Sequence, residues 1–325
     1  MLCVFEVYAL TTYHRWHGCV NPIIFALDST FIFMSTLKIY TLIALAVLCQ
    51  SLCAQDKAIV IPFKLTAYNN ISVQAILNGM DTVNLMFHTA ANSVTLTEEA
   101  TRKIKSIKFN SSTDGIKSWG GADNSARLSE NNVLRIGDLE FNSVAIWENK
   151  YSGQETDGKF GIDLFKDKVI ALDFEQKTLA IASDLPKHLR KYERLNLKFE
   201  NDLMFVEANC TIDGAVIGNW FLIHSGYSGG LLFDDEFVKD HQIGKKLKIT
   251  GEKELKDSYG NVLKTMKAIL PSFKIGREKL SDVPVGFFEG ALGRQKMSIM
   301  GGDILKRFNV VIDAKRAFIY LKANK

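Results

Sequence analysis

The chain has 325 residues, 47% apolar and 23% charged, the balance of a globular protein and too apolar for a disordered one. Forty Lys and Arg against 36 Asp and Glu leave a net charge of +4 with no basic block, so nucleic-acid binding is not expected. Five prolines and 23 glycines exclude collagen-like and linker-dominated chains, and the length accommodates one large domain or two lobes.

From the N-terminus, residues 34–54 read as a secretory signal peptide: Met34, the basic Lys38, an apolar run and a small-residue exit ending at Ala54. The apolar run is shorter than the roughly 20 residues of a membrane span, so the mature chain is expected to carry no integral membrane segment. Residues 1–33 then form an upstream extension, the alternative being an N-terminal anchor. Of the five cysteines only Cys210 survives cleavage, which precludes an internal disulfide. An exported protein, periplasmic or extracellular, is expected.

Beyond Gln55 the pattern is strand-rich. Apolar runs at 71–77, 84–87, 132–136 and 169–174 are separated by turn signals, and Asn78-Gly79 and Asp213-Gly214 suit tight hairpins. Helical stretches are few: 97–105, 234–241 and 303–308. An all-β chain is predicted.

Self-comparison reveals a duplication. Leu85-Met86-Phe87-His88-Thr89-Ala90-Ala91-Asn92-Ser93 matches Phe221-Leu222-Ile223-His224-Ser225-Gly226-Tyr227-Ser228-Gly229. Further on, Gly161-Ile162-Asp163-Leu164-Phe165-Lys166 matches Gly301-Gly302-Asp303-Ile304-Leu305-Lys306, and Ile170-Ala171-Leu172-Asp173 matches Val310-Val311-Ile312-Asp313. The order and near-equal spacing predict two repeats, 56–183 and 200–325, joined by a linker at 184–199.

At these residues the sequence resembles the pepsin-like and retropepsin-like aspartic proteases. In that family each lobe has an apolar strand running into Asp-Thr/Ser-Gly-x-Ser/Thr, and later an apolar-apolar-Gly segment that passes beneath the loop. Phe87-His88-Thr89-Ala90-Ala91-Asn92 and Ile223-His224-Ser225-Gly226-Tyr227-Ser228 stand at the first element. Phe160-Gly161, preceded by Lys159, and Ile299-Met300-Gly301 stand at the second. The resemblance implies a bilobal aspartic-protease-like fold of two similar β-barrel lobes with a central cleft. It places His88 and His224 at the catalytic aspartate positions, and Thr89, Ala90, Ser225 and Gly226 in the loops that brace the lobes. It also makes Trp119 and Gly120 candidates for a substrate-covering flap.

Both catalytic aspartates are thus absent, and Ala90 replaces a motif glycine. Two close carboxylates share one proton because both cannot ionise together. An imidazole has one acceptor when neutral and none when charged, so a His pair cannot reproduce that dyad. The expected function is therefore a catalytically inactive pseudoprotease, a monomer whose cleft binds a peptide or polypeptide by backbone pairing. Two alternatives stand beside it: an active peptidase or other hydrolase using His88 and His224 as a non-standard acid–base pair, and a structural or assembly protein. No cofactor is expected, and no metal, since two imidazoles fall short of the usual three or four ligands. Gly226-Tyr227-Ser228-Gly229-Gly230 also matches a nucleophile elbow, but the only later His is His241, and that fold leaves the repeat unexplained. Cys210 reads as a buried apolar residue, His188 and the basic run 245–248 as solvated, and Asp163 and Asp303 as caps of short helices.

Overall fold

The computed structural model describes residues 57–117, 123–288 and 295–324. The expected extension 1–33, the signal peptide 34–54 and the flap residues Trp119 and Gly120 lie outside the described residues.

The first repeat supplies β1 (Ile59–Leu65), β2 (Ile71–Leu77), β3 (Asp81–Phe87), β4 (Val94–Thr97), β5 (Ser111–Lys117), β6 (Asp123–Ile136), β7 (Leu139–Asn149), β8 (Gly158–Phe160), β9 (Val169–Asp173) and β10 (Thr178–Ala182). The second supplies β11 (Glu193–Glu200), β12 (Leu203–Ile212), β13 (Ala215–Ile223), β14 (Leu231–Leu232) and β15 (Lys248–Lys256). It continues with β16 (Val262–Ile275), β17 (Glu278–Phe287), β18 (Ser298–Met300), β19 (Phe308–Ile312) and β20 (Phe318–Ala323). The protein is mostly β, as the alternating apolar pattern predicts.

Strand pairing closes on itself in each repeat. In the first, the order β2–β3–β8–β4–β7–β6 returns to β2, a closed six-strand barrel with β3–β8 and β4–β7 parallel. In the second, β12–β13–β18–β14–β17–β16 returns to β12, with β13–β18 and β14–β17 parallel. Closure leaves these strands no free edge. A further sheet, β1–β10–β9–β19–β20–β11, crosses between the repeats. At its centre Ala171 pairs with Val311, flanked by Leu172 with Val310 and Ile170 with Ile312. Ala171 and Val311 are matching repeat positions, so the twofold relating the repeats passes between them.

The sequence makes these strands for simple reasons. In β2, Ile71, Val73, Ala75 and Leu77 point inward at the period of a pleated strand. Asn78 and Gly79 then take positive φ (51° and 68°) to turn into β3, and Asp213 and Gly214 do the same (51° and 76°) between β12 and β13. Aromatic rings fill the interiors: Phe87 lies 5.4 Å from Phe160 and 6.0 Å from Phe165, and Phe221 lies 5.3 Å from Phe273. All five are fully buried, and such aromatic contacts add to the burial of their area.

The helices are shorter than the sequence suggests. Instead of 97–105, α1 spans Glu98–Thr101, capped by the Thr97 hydroxyl. The amides of Lys103 and Ile104 both turn back to the Ala100 carbonyl and end it. Asp234 caps α2 (Asp235–Asp240), followed by α3 (Ile243–Lys246), and α4 is Gly302–Leu305. Residues 193–199 of the expected linker 184–199 lie in β11, paired with β12 and β20. Its charges mask an alternation in which Leu195, Leu197 and Phe199 stand at every second position. No helix among the described residues is long and apolar enough to cross a membrane.

A test follows from the glycines. A methyl group at Gly79 or Gly214 meets nothing within 4 Å, so Gly79→Ala and Gly214→Ala suffer only the left-handed backbone, about 1–2 kcal/mol each. At Gly158 a Cβ would run into the backbone carbonyl of Thr95. Denaturant unfolding is expected to rank Gly158→Ala well below two nearly equal hairpin variants.

Candidate functional site

Two loops meet between the barrels, each leaving the end of a strand in a parallel pair. The His88 amide donates to Phe160 O (2.9 Å) and the His224 amide to Met300 O (3.0 Å), extending the β3–β8 and β13–β18 ladders by one bond. Each chain then turns, with Ala91 N–H donating to His88 O and Tyr227 N–H to His224 O, both at 3.1 Å. The far side of each loop is held by Ile162 N–H on Ala91 O (3.2 Å) and Gly302 N–H on Tyr227 O (2.7 Å). Gly161 and Gly301 pass beneath, where a Cβ would strike the carbonyl oxygens of Ala91 and Gly229 respectively. Those glycines themselves begin the following short helices with no side-chain cap. Asp163 and Asp303, expected as caps, instead lie inside the first turns, Asp303 bridging to Lys306 and Arg307 at 2.9 Å.

The loops lock across the twofold through Thr89 and Ser225, which are 1% and 0% exposed. The Thr89 amide donates to Ser225 Oγ (2.9 Å) and the Ser225 amide to Thr89 Oγ1 (3.0 Å). In return, the Thr89 hydroxyl donates to Ile223 O and the Ser225 hydroxyl to Phe87 O, both at 2.7 Å. Each hydroxyl donates once and accepts once, so three buried groups on each side of the interface, an amide, a hydroxyl and a carbonyl, are satisfied together.

This lock brings His88 and His224 together, with ring centroids 4.5 Å apart and planes at 61°. His88 Nδ1 accepts from the Ala90 amide at 3.1 Å, which fixes the neutral ring with its hydrogen on Nε2. The His88 ring lies over Gly226, where a Cβ would collide with Nε2 and Cδ2. Ala90, the residue at the equivalent position, instead packs its methyl group against a small apolar cluster of Leu222, Leu232, Phe288 and Ile299. The methyl group that departs from the motif glycine is therefore accommodated. His224 Nδ1 is buried without a hydrogen-bond partner.

A third basic group completes the site. Lys159 sits on β8, paired with Met86 and Thr95, and its ammonium donates to Ser258 Oγ at 3.4 Å. Ser258 lies in the turn between β15 and β16 of the second repeat, and Ser258 O also accepts from the Tyr151 amide at 2.9 Å. Burial lowers the Lys159 ammonium to about 8. Burial first, then His224 and Lys159, hold His88 well below the usual imidazole range of 6.5. Burial and Lys159 lower His224 to about 4. Among the described residues no carboxylate is close enough to offset these charges. The sequence offered a signal for Lys159, a charge where the second repeat has the apolar Ile299, but it read there as an imperfect motif.

The other candidates fall away from this point. Ser228 is followed by β14 rather than a helix, so the strand–turn–helix of a nucleophile elbow is absent, and Ser228 O accepts from Asn69 Nδ2 at 2.8 Å. His241 ends α2 with its ring 4.6 Å from that of Phe237. Cys210 is fully buried and burial raises its thiol to about 12, an inert state. Among the described residues no group of three or more His, Cys, Asp or Glu is placed to hold a metal ion. The β5–β6 hairpin whose tip would carry the flap candidates pairs from Ser111–Leu128 to Lys117–Asp123. No protein-family model matches the chain, and a search among curated proteins gave no match.

Two measurements probe this geometry. Ser225→Ala strands the Thr89 amide and the Phe87 carbonyl in a buried site and is expected to lose about 2–4 kcal/mol of stability in chemical unfolding, whereas Thr89→Ser keeps the bonds and loses far less. His224 gives a pH signature. With a folded value of about 4 against 6.5 for a free imidazole, the unfolded chain binds the proton first as pH falls. Stability is therefore complete above pH 6.5 and declines toward pH 4, by roughly 3 kcal/mol from this group. Relative to His224→Phe, the wild-type protein should lose that increment between pH 6.5 and 4 and none between pH 7 and 8.

Proposed function

We propose that the protein is an exported, bilobal, aspartic-protease-like pseudoprotease that binds peptide without cleaving it. The observation that carries this reading is the Thr89–Ser225 lock, which sets His88 and His224 ring to ring at the meeting point of two repeated barrels. The matching positions in the protease family hold the aspartate dyad.

The electrostatics favour binding over hydrolysis. A general base works best with a value near the operating pH, and an imidazole lowered to about 4 holds a proton too weakly to activate water at pH 7. Nor can the charged form of one ring serve as acid, because Lys159 and burial oppose any positive charge there. What remains is binding. Beside the β5–β6 hairpin a separate cavity of about 360 Å³ is lined by Ser112, Arg127, Glu148 and Lys150 of the first repeat and Tyr259 of the second. An extended peptide binds by adding its backbone hydrogen bonds to strand edges. Because one chain supplies both repeats, the protein works as a monomer. Export rests on the reading of residues 34–54.

Incubation with a mixed peptide library at pH 4 and pH 7, followed by mass spectrometry, tests the proposal. Peptide retention without cleavage is expected at both. Cleavage that disappears in both His88→Ala and His224→Ala would establish a histidine-dependent hydrolase instead, and neither retention nor cleavage would favour a structural or assembly role.

A further inference from the structure

The junction of the two barrels has an uncompensated charge. The Lys159 ammonium has three hydrogens and a single long bond to the Ser258 hydroxyl, and no carboxylate among the described residues faces it. His88 keeps a donor hydrogen on Nε2, since its Nδ1 is taken by the Ala90 amide. The buried Nδ1 of His224 has no partner at all. A half-buried ammonium beside two imidazoles, all lacking an acceptor of opposite charge, is unfavourable in isolation. The matching residue in the second repeat, Ile299, shows that the fold itself has no use for a charge at this position. A bound anion would supply the acceptor that the fold does not.

We propose that Lys159, His88 and His224 form a carboxylate-binding site where the two barrels meet, so that the ligand is a peptide presenting an acidic side chain or a free C-terminus. This deepens the peptide-binding reading and rests on it for the peptide. A carboxylate offers two oxygens with about four acceptor positions, enough for the ammonium and both rings at once. Its charge neutralises Lys159 and makes protonation of the imidazoles easier. A neutral amide satisfies hydrogen bonds but leaves the ammonium uncompensated. Charge-assisted bonds of this kind are about twice as strong as neutral ones.

Titration calorimetry with three peptides of one sequence separates the possibilities: one with a free C-terminus, one amidated, and one amidated with an internal Glu. One or both carboxylate peptides should bind about tenfold tighter than the neutral one, and which of them does so identifies the source of the carboxylate. Lys159→Ile, which copies the second repeat and should fold, is expected to erase that preference. In parallel, acetate alone is titrated while the histidine ring protons are followed by NMR. Acetate should shift the His88 and His224 signals in the wild-type protein and not in Lys159→Ile. Equal binding of all three peptides would overturn the carboxylate site and leave peptide binding standing. Acetate-dependent shifts without any peptide binding would support the site and refute the peptide reading. Absence of both the preference and the shifts would overturn the proposal.

Discussion

Four hydrogen bonds made by Thr89 and Ser225, two with each other and two to the Ile223 and Phe87 carbonyls, set everything at the centre of this protein. They pass between two backbone turns that share almost no other polar contact, and they are fully buried. Each side chain satisfies the other loop's backbone, so neither loop can move without stranding polar groups in a dry interior. Barrel closure, the ladder extensions at His88 and His224 and the glycines passing beneath all serve to present these two hydroxyls to each other. The histidines are neighbours because the residues after them are locked.

That lock also explains the electrostatics. Burial suppresses the charged forms of both imidazoles, and Lys159 suppresses them further, with His224 adding to the effect on His88. Carboxylates held in the same arrangement can share a proton between them, whereas these imidazoles stay neutral, each keeping one ring N–H and binding no further proton near pH 7. The junction therefore holds two neutral imidazoles beside one lysine. Gly226 and Ala90 make the difference between the two loops concrete: the glycine admits the His88 ring, while the alanine methyl fills an apolar cluster.

Much of this was legible in the residues. Alternation in β2, the Asn-Gly and Asp-Gly turns and the paired His-containing motifs all survive in the structure at their expected places. Duplication was the strongest signal, because a repeated motif order constrains topology in a way that local propensity does not. The helices were overestimated because an acidic first turn and a capping Thr97 or Asp234 announce where a helix starts but say nothing of where it stops. β11 was hidden because its alternating apolar residues are interleaved with Glu, Arg, Asn and Lys, which read as solvated chain. Lys159 was visible as a misfit but its role was not, since nothing in the sequence places the Ser258 turn of the other repeat beside it.

The pairing of Ala171 with Val311 has an evolutionary corollary. An antiparallel strand that crosses its own repeat partner at matching positions has the contact pattern of an isologous dimer. A single-repeat forerunner could assemble from two identical copies through the same register, and each copy would then have to carry the same residue on both sides of the axis. Fusion into one chain releases that obligation. A lysine on β8 can correspond to an isoleucine on β18, and an alanine loop to a glycine loop, so the centre of the molecule can acquire a direction that a symmetric pair is forbidden to have.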